Sequence, residues 1–220
     1  MKGLLVTFEG CEGSGKSTHS EKIYQTLIKK SYPVVLTHEP GGTRFSEKIR
    51  ELLLSPDKEE PILPYAEWLL YLASRAQHVE KLILPALKTG KIVLCDRFTD
   101  ATVAYQGYGR GLDIDMLNLM NDFITRHLMP DYTILLDIDP GIGLERSKRL
   151  KKNFALNGEL DRMESQSLEF HQKVRNGYIE IAKAFPNRVS IFDTSTVPVE
   201  ETLSQIQDCI MNLIQKHGLS

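Results

Sequence analysis

Cysteine, long apolar runs and an excess of one charge are scarce in this sequence, and each shortage excludes a class of protein. The three cysteines are odd in number and widely spaced, so we expect neither a disulfide framework nor a cysteine-ligated metal, as in a reducing compartment. No apolar stretch is long enough to span a bilayer, and the first is too short for a signal peptide. The formal net charge of −2 gives no general attraction to nucleic acid or membranes. We therefore expect a cytoplasmic protein with neither as a partner.

The patterns that are present indicate a single α/β domain. The chain has 220 residues, 41% hydrophobic and 25% charged, which is typical of one globular enzyme domain over residues 1–220. Short apolar runs alternate with helical patterns, which predicts a parallel sheet covered on both faces. We expect strands at 4–8, 33–37, 92–95, 132–136 and 189–192, and helices at 17–30, 43–54, 65–88, 114–128, 143–152, 163–185 and 199–216. The glycine-rich residues 107–111 are expected to form a mobile or turn-rich loop.

One segment, Gly-Cys-Glu-Gly-Ser-Gly-Lys-Ser, lies between the first predicted strand and the first predicted helix. It matches the phosphate-binding motif Gly-x-x-x-x-Gly-Lys-[Ser/Thr] in full, whereas a plain glycine-rich turn would not require the lysine. Glycines let the backbone close around an anion, so that loop N–H groups and the positive helix end face the phosphates. The motif places Lys16 at the β- and γ-phosphates and Ser17 on Mg2+. We predict that the triphosphate is bound by Gly10, Cys11, Glu12, Gly13, Ser14, Gly15, Lys16, Ser17 and Thr18.

The carboxyl ends of the other strands supply further candidates, because ligands of parallel sheets bind there. This rule selects residues 39–43, 96–97 and 137–140 beside the phosphate loop. Asp96 ends the third strand, where a carboxylate typically organises Mg2+ through its water ligands, and Arg97 follows it. The alternative for Asp96 and Arg97 is a structural ion pair at a strand end.

Several segments together make the sequence resemble thymidylate kinases of the bacterial type. Besides the phosphate loop they are Glu39-Pro40-Gly41-Gly42-Thr43, Glu47-Lys48-Ile49-Arg50, Leu72-Ala73-Ser74-Arg75, Asp96-Arg97-Phe98, Ala104-Tyr105-Gln106-Gly107 and Glu159-Leu160-Asp161-Arg162. They occur in the family's order, from about residue 2 to 181. The resemblance implies a three-layer P-loop NTPase fold with a five-stranded parallel sheet in the order 2-3-1-4-5 and a short lid at about 146–162. It also implies a homodimer that transfers the γ-phosphate of ATP, with Mg2+, to dTMP.

The resemblance implies a second group of side chains for the acceptor nucleotide. Arg97 and Arg50 match phosphate-binding arginines, although the sequence alone favours a solvated helix-face charge for Arg50. Tyr71 and Arg75 are four residues apart and share a helix face, where a ring can stack on a base and an arginine can donate to its carbonyl. The alternative for this pair is a core aromatic residue beside a surface cation.

Three further matches lie just after Arg97 and would read the pyrimidine edge and pack on the sugar: Thr102, Tyr105 and Gln106. A glutamine carbonyl can accept a ring N–H, and a tyrosine ring near C2′ would disfavour a ribose hydroxyl. Glu12 matches the acidic position that meets the acceptor's 3′-hydroxyl or a water on magnesium. Glu39 would support the same part of the site as Glu12.

A basic segment, residues 145–152, carries five cations in eight residues. An exposed basic helix or a nucleic-acid contact would give the same pattern. In the family it corresponds to a lid that closes over ATP, excludes water and supplies arginines where the phosphate loop has none. The resemblance therefore implies the catalytic set Lys16, Asp96, Arg97, Arg146 and Arg149, with Arg162 as a third lid candidate and Lys148 as a substitute for Arg149.

Three positions depart from the family pattern, namely His38, Phe98 and Ala101, and they leave the base selectivity open. A kinase for dUMP, UMP or CMP is therefore the nearest alternative function. A guanine-nucleotide switch or a nucleic-acid-stimulated ATPase is the alternative from another class. A switch requires Asp-x-x-Gly and Asn-Lys-x-Asp, and the sequence contains neither.

Overall fold

Five parallel strands form the centre of the computed structural model, which describes residues 3–55, 59–153 and 161–219, without side chains for 151–153. The sheet order is β2-β3-β1-β4-β5, and every neighbouring pair is parallel. The predicted fold class and strand order are thereby confirmed. The strands are β1 Leu4–Glu9, β2 Val34–His38, β3 Ile92–Asp96, β4 Tyr132–Asp137 and β5 Val189–Asp193.

Helices connect the strands and cover both faces of the sheet. They are α1 Lys16–Lys29, α2 Arg44–Leu54, α3 Pro64–His78, α4 Leu84–Lys88, α5 Thr99–Thr102, α6 Ile114–Thr125, α7 Pro140–Asn153, α8 Leu168–Ala184 and α9 Val199–Lys216. π-Helical turns at Val79–Ile83 and Val103–Gly109 continue α3 into α4 and extend α5. In the part of the chain that is described, no helix is long and apolar enough to cross a membrane.

The central strand β1 shows how the layers arise. All six of its residues are buried, and successive side chains point to opposite faces of the sheet. Leu4, Val6 and Phe8 pack with residues of α1 and α9 on one face. Leu5 packs on the other face with the π-helical turn and α4. The near-continuous apolar run therefore reflects burial on both sides.

Several local predictions were wrong, among them the start of the helix expected at 163–185, which begins at Leu168 because the Ser167 side chain caps it by accepting the Phe170 N–H. Residues 107–109 do not form a loop but end the second π-helical turn, whose residues Val103 to Gly107 are buried and pack against α8. Tertiary packing thus overrides the glycines' tendency to break helices. The helix expected to reach residue 128 ends at Thr125, because Arg126 and His127 adopt left-handed backbone angles with φ of 57° and 61°.

Strand register brings the predicted ligand-binding segments together. Phe8 of β1 is paired with Asp96 of β3, and His38 of β2 is paired with the same residue from the other side. The phosphate loop, the Asp96–Arg97 turn and the turn after β2 therefore emerge at one edge of the sheet.

Candidate active site

The phosphate loop wraps around its own lysine. Gly10, Gly13 and Gly15 have φ values of 138°, 69° and 91°, which L-residues with side chains rarely adopt. Helix α1 begins at Lys16, whose Nζ donates to the carbonyl oxygens of Gly10 at 3.0 Å and Cys11 at 2.8 Å. Burial, followed by the charge of Arg97, lowers the pKa of Lys16 from its usual value. The amine therefore lies within the loop, with the first N–H groups of α1 beside it.

The other residues predicted to bind the triphosphate differ in burial. Ser14 and Cys11 are buried, whereas Thr18 is exposed on α1. Burial, and then the charge of Glu12, raises the pKa of Cys11 to about 12, so its thiol is protonated at neutral pH. Cys11 contributes packing and backbone to the loop.

Ser17 and Asp96 form a pair that suits Mg2+. The Ser17 hydroxyl donates to Oδ2 of Asp96 at 2.7 Å, so both oxygens lie at the mouth of the phosphate loop. Magnesium is usually held by one or two protein oxygens together with water and substrate phosphates. Among the described residues there is no cluster of three or more His, Cys, Asp or Glu that could form an all-protein cage. The two side chains fit the kind of site that the phosphate-loop motif predicts.

Arg97 joins the phosphate loop to the Tyr105 ring. Its guanidinium donates to Oε1 of Glu12 at 2.9 Å and to the Gly10 carbonyl at 3.3 Å, and it lies 4.7 Å from the centre of the Tyr105 ring. Its backbone has a φ of 70°, which is unusual for a residue with a side chain. Hydrogen bonds on both sides, from Arg97 N to the Phe8 carbonyl and from Phe98 N to Glu9, fix that conformation.

Glu12 is an ion held by several donors. The Tyr105 hydroxyl lies 2.7 and 2.8 Å from its two carboxylate oxygens, and His171 Nδ1 lies 3.1 Å from Oε2. Burial alone would raise the pKa of Glu12, but the charge of Arg97, the contact with His171 and the charge of Lys16 outweigh it and lower the pKa well below its usual value. The sequence predicted that Glu12 and Tyr105 belong to the site, but it did not predict that they contact each other.

Arg75 is buried and is bonded on nearly all sides. It donates to Glu39 Oε2 through Nε, and to Thr102 Oγ1 and Asn121 Oδ1 through one terminal nitrogen, each at 2.7 Å. The other terminal nitrogen donates to the Phe98 carbonyl at 2.9 Å. Four of its five N–H groups are thus used, and the alternative of a surface cation is wrong because the side chain is only 2% exposed.

A cavity of about 780 Å³ collects these groups. Its volume is within the range that holds a nucleotide-sized ligand. Arg50 lies in its wall, half-buried, and donates to the Pro40 carbonyl at 3.0 Å, so it is not a solvated charge. Burial, and then the charge of Glu67, raises the pKa of Tyr71 to about 12. Predicted residues that line the cavity are Glu12, Gly13, Lys16, Ser17, Glu39, Arg50, Tyr71, Arg75, Asp96, Arg97, Thr102, Tyr105 and Gln106.

The cations predicted for the lid lie apart from this cavity. Arg146 donates to the Thr194 carbonyl at 2.7 Å and to the Ser195 carbonyl at 3.4 Å, and Arg149 is exposed on α7. Neither belongs to the described residues that line the cavity. Arg162 donates to the Leu53 carbonyl and to Glu67. Residues 154–160, the middle of the predicted lid, lie outside the described part of the chain.

A model of the family described as "Thymidylate kinase" matches residues 8–206. The chain belongs to the thymidylate kinase family. The thymidylate kinase of Geobacillus sp. (strain WCH70) is 44% identical over 215 residues, which cover 98% of this chain and 99% of the relative. That of Geotalea daltonii is 48% identical over 200 residues, covering 91% and 92%. A crystal structure of thymidylate kinase from Ehrlichia chaffeensis matches with a TM-score of 0.74 and 32% identity, over 96% of this chain and 99% of that one.

Membership of the thymidylate kinase family confirms the resemblance drawn from the motifs. Other groups at the site carried no motif and were missed, among them Glu9, Glu67, His78, Asn121 and His171. Glu67 had a detectable signal, because it lies four residues before Tyr71 and eight before Arg75 on one helix face. Asn121 and His171 are far along the chain from the residues that they contact, and no local pattern points to them.

Proposed function

We propose that this chain is an ATP:dTMP phosphotransferase, which gives dTDP and ADP in dTTP synthesis. The observation that carries the proposal is the contact of Arg97 with the phosphate loop, through the Gly10 carbonyl and the Glu12 carboxylate, in a chain of the thymidylate kinase family. An acceptor phosphate is already largely ionised at neutral pH, so the reaction needs no strong base. Positioning and charge stabilisation then account for most of the rate, and Lys16 and Arg97 supply charge from two sides.

The acceptor nucleotide has a place for each of its parts. Arg50 and Arg97 hold its phosphate, Tyr71 stacks on the base, and Arg75 directs its remaining N–H to a base carbonyl. Tyr105, fixed by its bonds to Glu12, lies where a ribose 2′-hydroxyl would be crowded or unpaired. Thr102 and Glu39 act through Arg75, since both accept hydrogen bonds from its guanidinium.

Mg2+, the lid and the cellular location complete the proposal. Ser17, and Asp96 through water, would hold Mg2+, which supplies charge neutralisation at the phosphates. Within the single domain the lid spans about 146–162, and Arg146 and Arg149 reach the transferring phosphoryl when it closes. The three thiols are free, with Cys11 and Cys95 buried, as suits the reducing cytoplasm.

The substrate assignment is tested by ADP release from ATP and magnesium with dTMP, dUMP, UMP and CMP in turn. We expect the highest kcat/KM with dTMP, and equal values for the four would refute the assignment. ATP hydrolysis that DNA stimulates and that none of the four nucleotides changes would instead support the alternative function, a nucleic-acid-stimulated ATPase.

We also propose that the protein is a homodimer formed through α2, α3 and α6, which pack side by side. On α3, Tyr65 and Leu69 are more than half exposed at a spacing of four residues. On α6, exposed apolar side chains recur at spacings of three and four, at Met116, Leu119 and Phe123. Such stripes usually face a core, and here the described residues leave them uncovered. A second copy of the chain would cover them, and the family resemblance also implies a homodimer.

Analytical ultracentrifugation tests the dimer. We expect the wild-type mass to be twice that of the chain, and Leu119→Glu with Phe123→Glu to give a folded monomer by circular dichroism. Phe185→Glu is the control, because Phe185 is 49% exposed on a different helix end. A monomeric wild type would refute the dimer.

A further inference from the structure

Gln106, proposed to read the base, is held by a carboxylate that no motif selected. Its Nε2 donates to Oε1 of Glu67 at 2.8 Å, and both side chains are buried, at 2% and 0% exposure. Among the described residues, Oε1 of Gln106 accepts no hydrogen bond, although Gln106 lines the cavity. The amide is therefore bonded on one side only.

Glu67 is itself held by two arginines. Arg110 donates to Oε2 at 2.9 Å and, through Nε, to Oε1 at 3.3 Å, and Arg162 donates to Oε2 at 2.6 Å. Burial alone would raise the pKa of Glu67, but the bonds and charge of Arg110, with those from Gln106 and Arg162, lower it. An ionised carboxylate only accepts hydrogen bonds, so the NH2 group of Gln106 must face Glu67. The amide oxygen then points away from Glu67, on the side of the cavity.

We infer that Glu67 is a positioning residue for base selectivity, because it fixes the Gln106 amide with its oxygen toward the acceptor base. This inference rests on the proposed function. The oxygen can accept the ring N–H that lies between the two carbonyls of thymine or uracil. In cytosine the same ring nitrogen is an acceptor, so two acceptors would face each other. An amide free to turn would accommodate both bases, and Glu67 prevents that turn.

The test compares kcat/KM for dTMP and dCMP in four proteins: wild type, Glu67→Gln, Gln106→Met and the double variant. Glu67→Gln offers Gln106 a donor as well as an acceptor, so the amide can turn. We expect the dTMP preference to fall by about tenfold or more, mainly through a higher KM for dTMP. On the Gln106→Met background the same change should alter the preference by less than about twofold, because Glu67 acts through Gln106. Equal losses on both backgrounds would show a merely structural role and overturn the inference.

A measurement on the wild type covers the case in which Glu67→Gln does not fold. The side-chain NH2 signal of Gln106 is assigned by nuclear magnetic resonance from its loss in Gln106→Met. We expect its hydrogen exchange to be much slower than that of the exposed Gln172. Exchange as fast as that of Gln172 would overturn the inference. If the wild type ignored dTMP while Gln106 stayed protected, the proposed function would fail, and the Glu67–Gln106 geometry would stand without its role in base selection.

Discussion

Gly13 of the phosphate loop and Gly143 of α7 lie against each other with no room for a side chain on either. A Cβ on Gly13 would overlap the carbonyl oxygen of Gly143, and one on Gly143 would overlap that of Glu12. Since α7 also carries Arg146 and Arg149, this contact sets how closely the helix with the proposed lid arginines approaches the phosphate loop.

Gly143→Ala should separate α7 from the loop. We expect a stability loss of about 1–3 kcal/mol from overpacking and a fall in kcat of about tenfold or more from the displacement of α7 with its proposed lid arginines. Thermal unfolding and ADP release measure the two effects. Gly141→Ala is the matched control, because a Cβ there would meet only the end of the Asp139 side chain. A Gly143→Ala enzyme with normal kcat would show that the close contact is unimportant for turnover.

Lys16→Ala should abolish turnover and leave the fold intact. Its Nζ contacts the loop's own carbonyls and lies where the motif places phosphates. We expect kcat to fall by about 10²-fold or more, with little change in the melting temperature. Lys22→Ala on the same helix is the control, since Lys22 is exposed and its side chain forms a surface ion pair at 4.0 Å with Glu200, a kind of contact that contributes little to stability. Retained activity in Lys16→Ala would refute the role of the lysine.

Arg149→Ala should lower kcat more than it weakens acceptor binding, because lid cations act mostly on the transition state. Steady-state kinetics should show a fall in kcat of about tenfold or more, while the KM for dTMP stays within about twofold. Lys148→Ala is assayed in parallel, because Lys148 is the residue that would take the role of Arg149 if the family's lid position corresponded to 148. A higher KM with an unchanged kcat would place Arg149 outside the active face of the lid.

Glu9 should make stability depend on pH. It is fully buried and accepts hydrogen bonds from Phe98 N and the Tyr178 hydroxyl, each at 2.7 Å. Burial, followed by the charge of Asp100, raises its pKa from 4.5 to about 8. Between these values the folded protein keeps a proton that the unfolded chain has lost, so the free energy of unfolding falls as pH rises, by about 1.4 kcal/mol per pH unit from this group.

Glu9→Gln should remove this contribution, because a glutamine is neutral at every pH and can bond both Phe98 and Tyr178. Urea unfolding of both proteins from pH 5 to 8 measures the difference, in which other titrating groups cancel. We expect the wild type to lose stability relative to Glu9→Gln across that range. A constant difference would mean that Glu9 is ionised in the folded protein.

The sequence was sufficient for the sheet and for the phosphate loop. Each apolar run became a strand within two residues of its expected ends, because burial on both faces leaves a local record in the chain. The phosphate-loop motif is contiguous, so its conformation follows from residues that are neighbours in sequence. The loop expected at 107–111 failed for the opposite reason, since packing against α8 decided its structure.

What only the tertiary structure decided is the partner of each charged side chain. Arg75 donates to three residues from distant segments, Glu39, Thr102 and Asn121. Tyr178 donates to Glu9, which lies 169 positions earlier in the chain. Arg146 donates to the carbonyls of Thr194 and Ser195. Helix and strand periods reveal which face of an element is buried, but not which elements meet there. The sequence alone therefore determined the family, the strands and the phosphate loop. The network that holds Arg75, Gln106 and Glu12 in place depends on long-range packing, which brings their partners within hydrogen-bond distance.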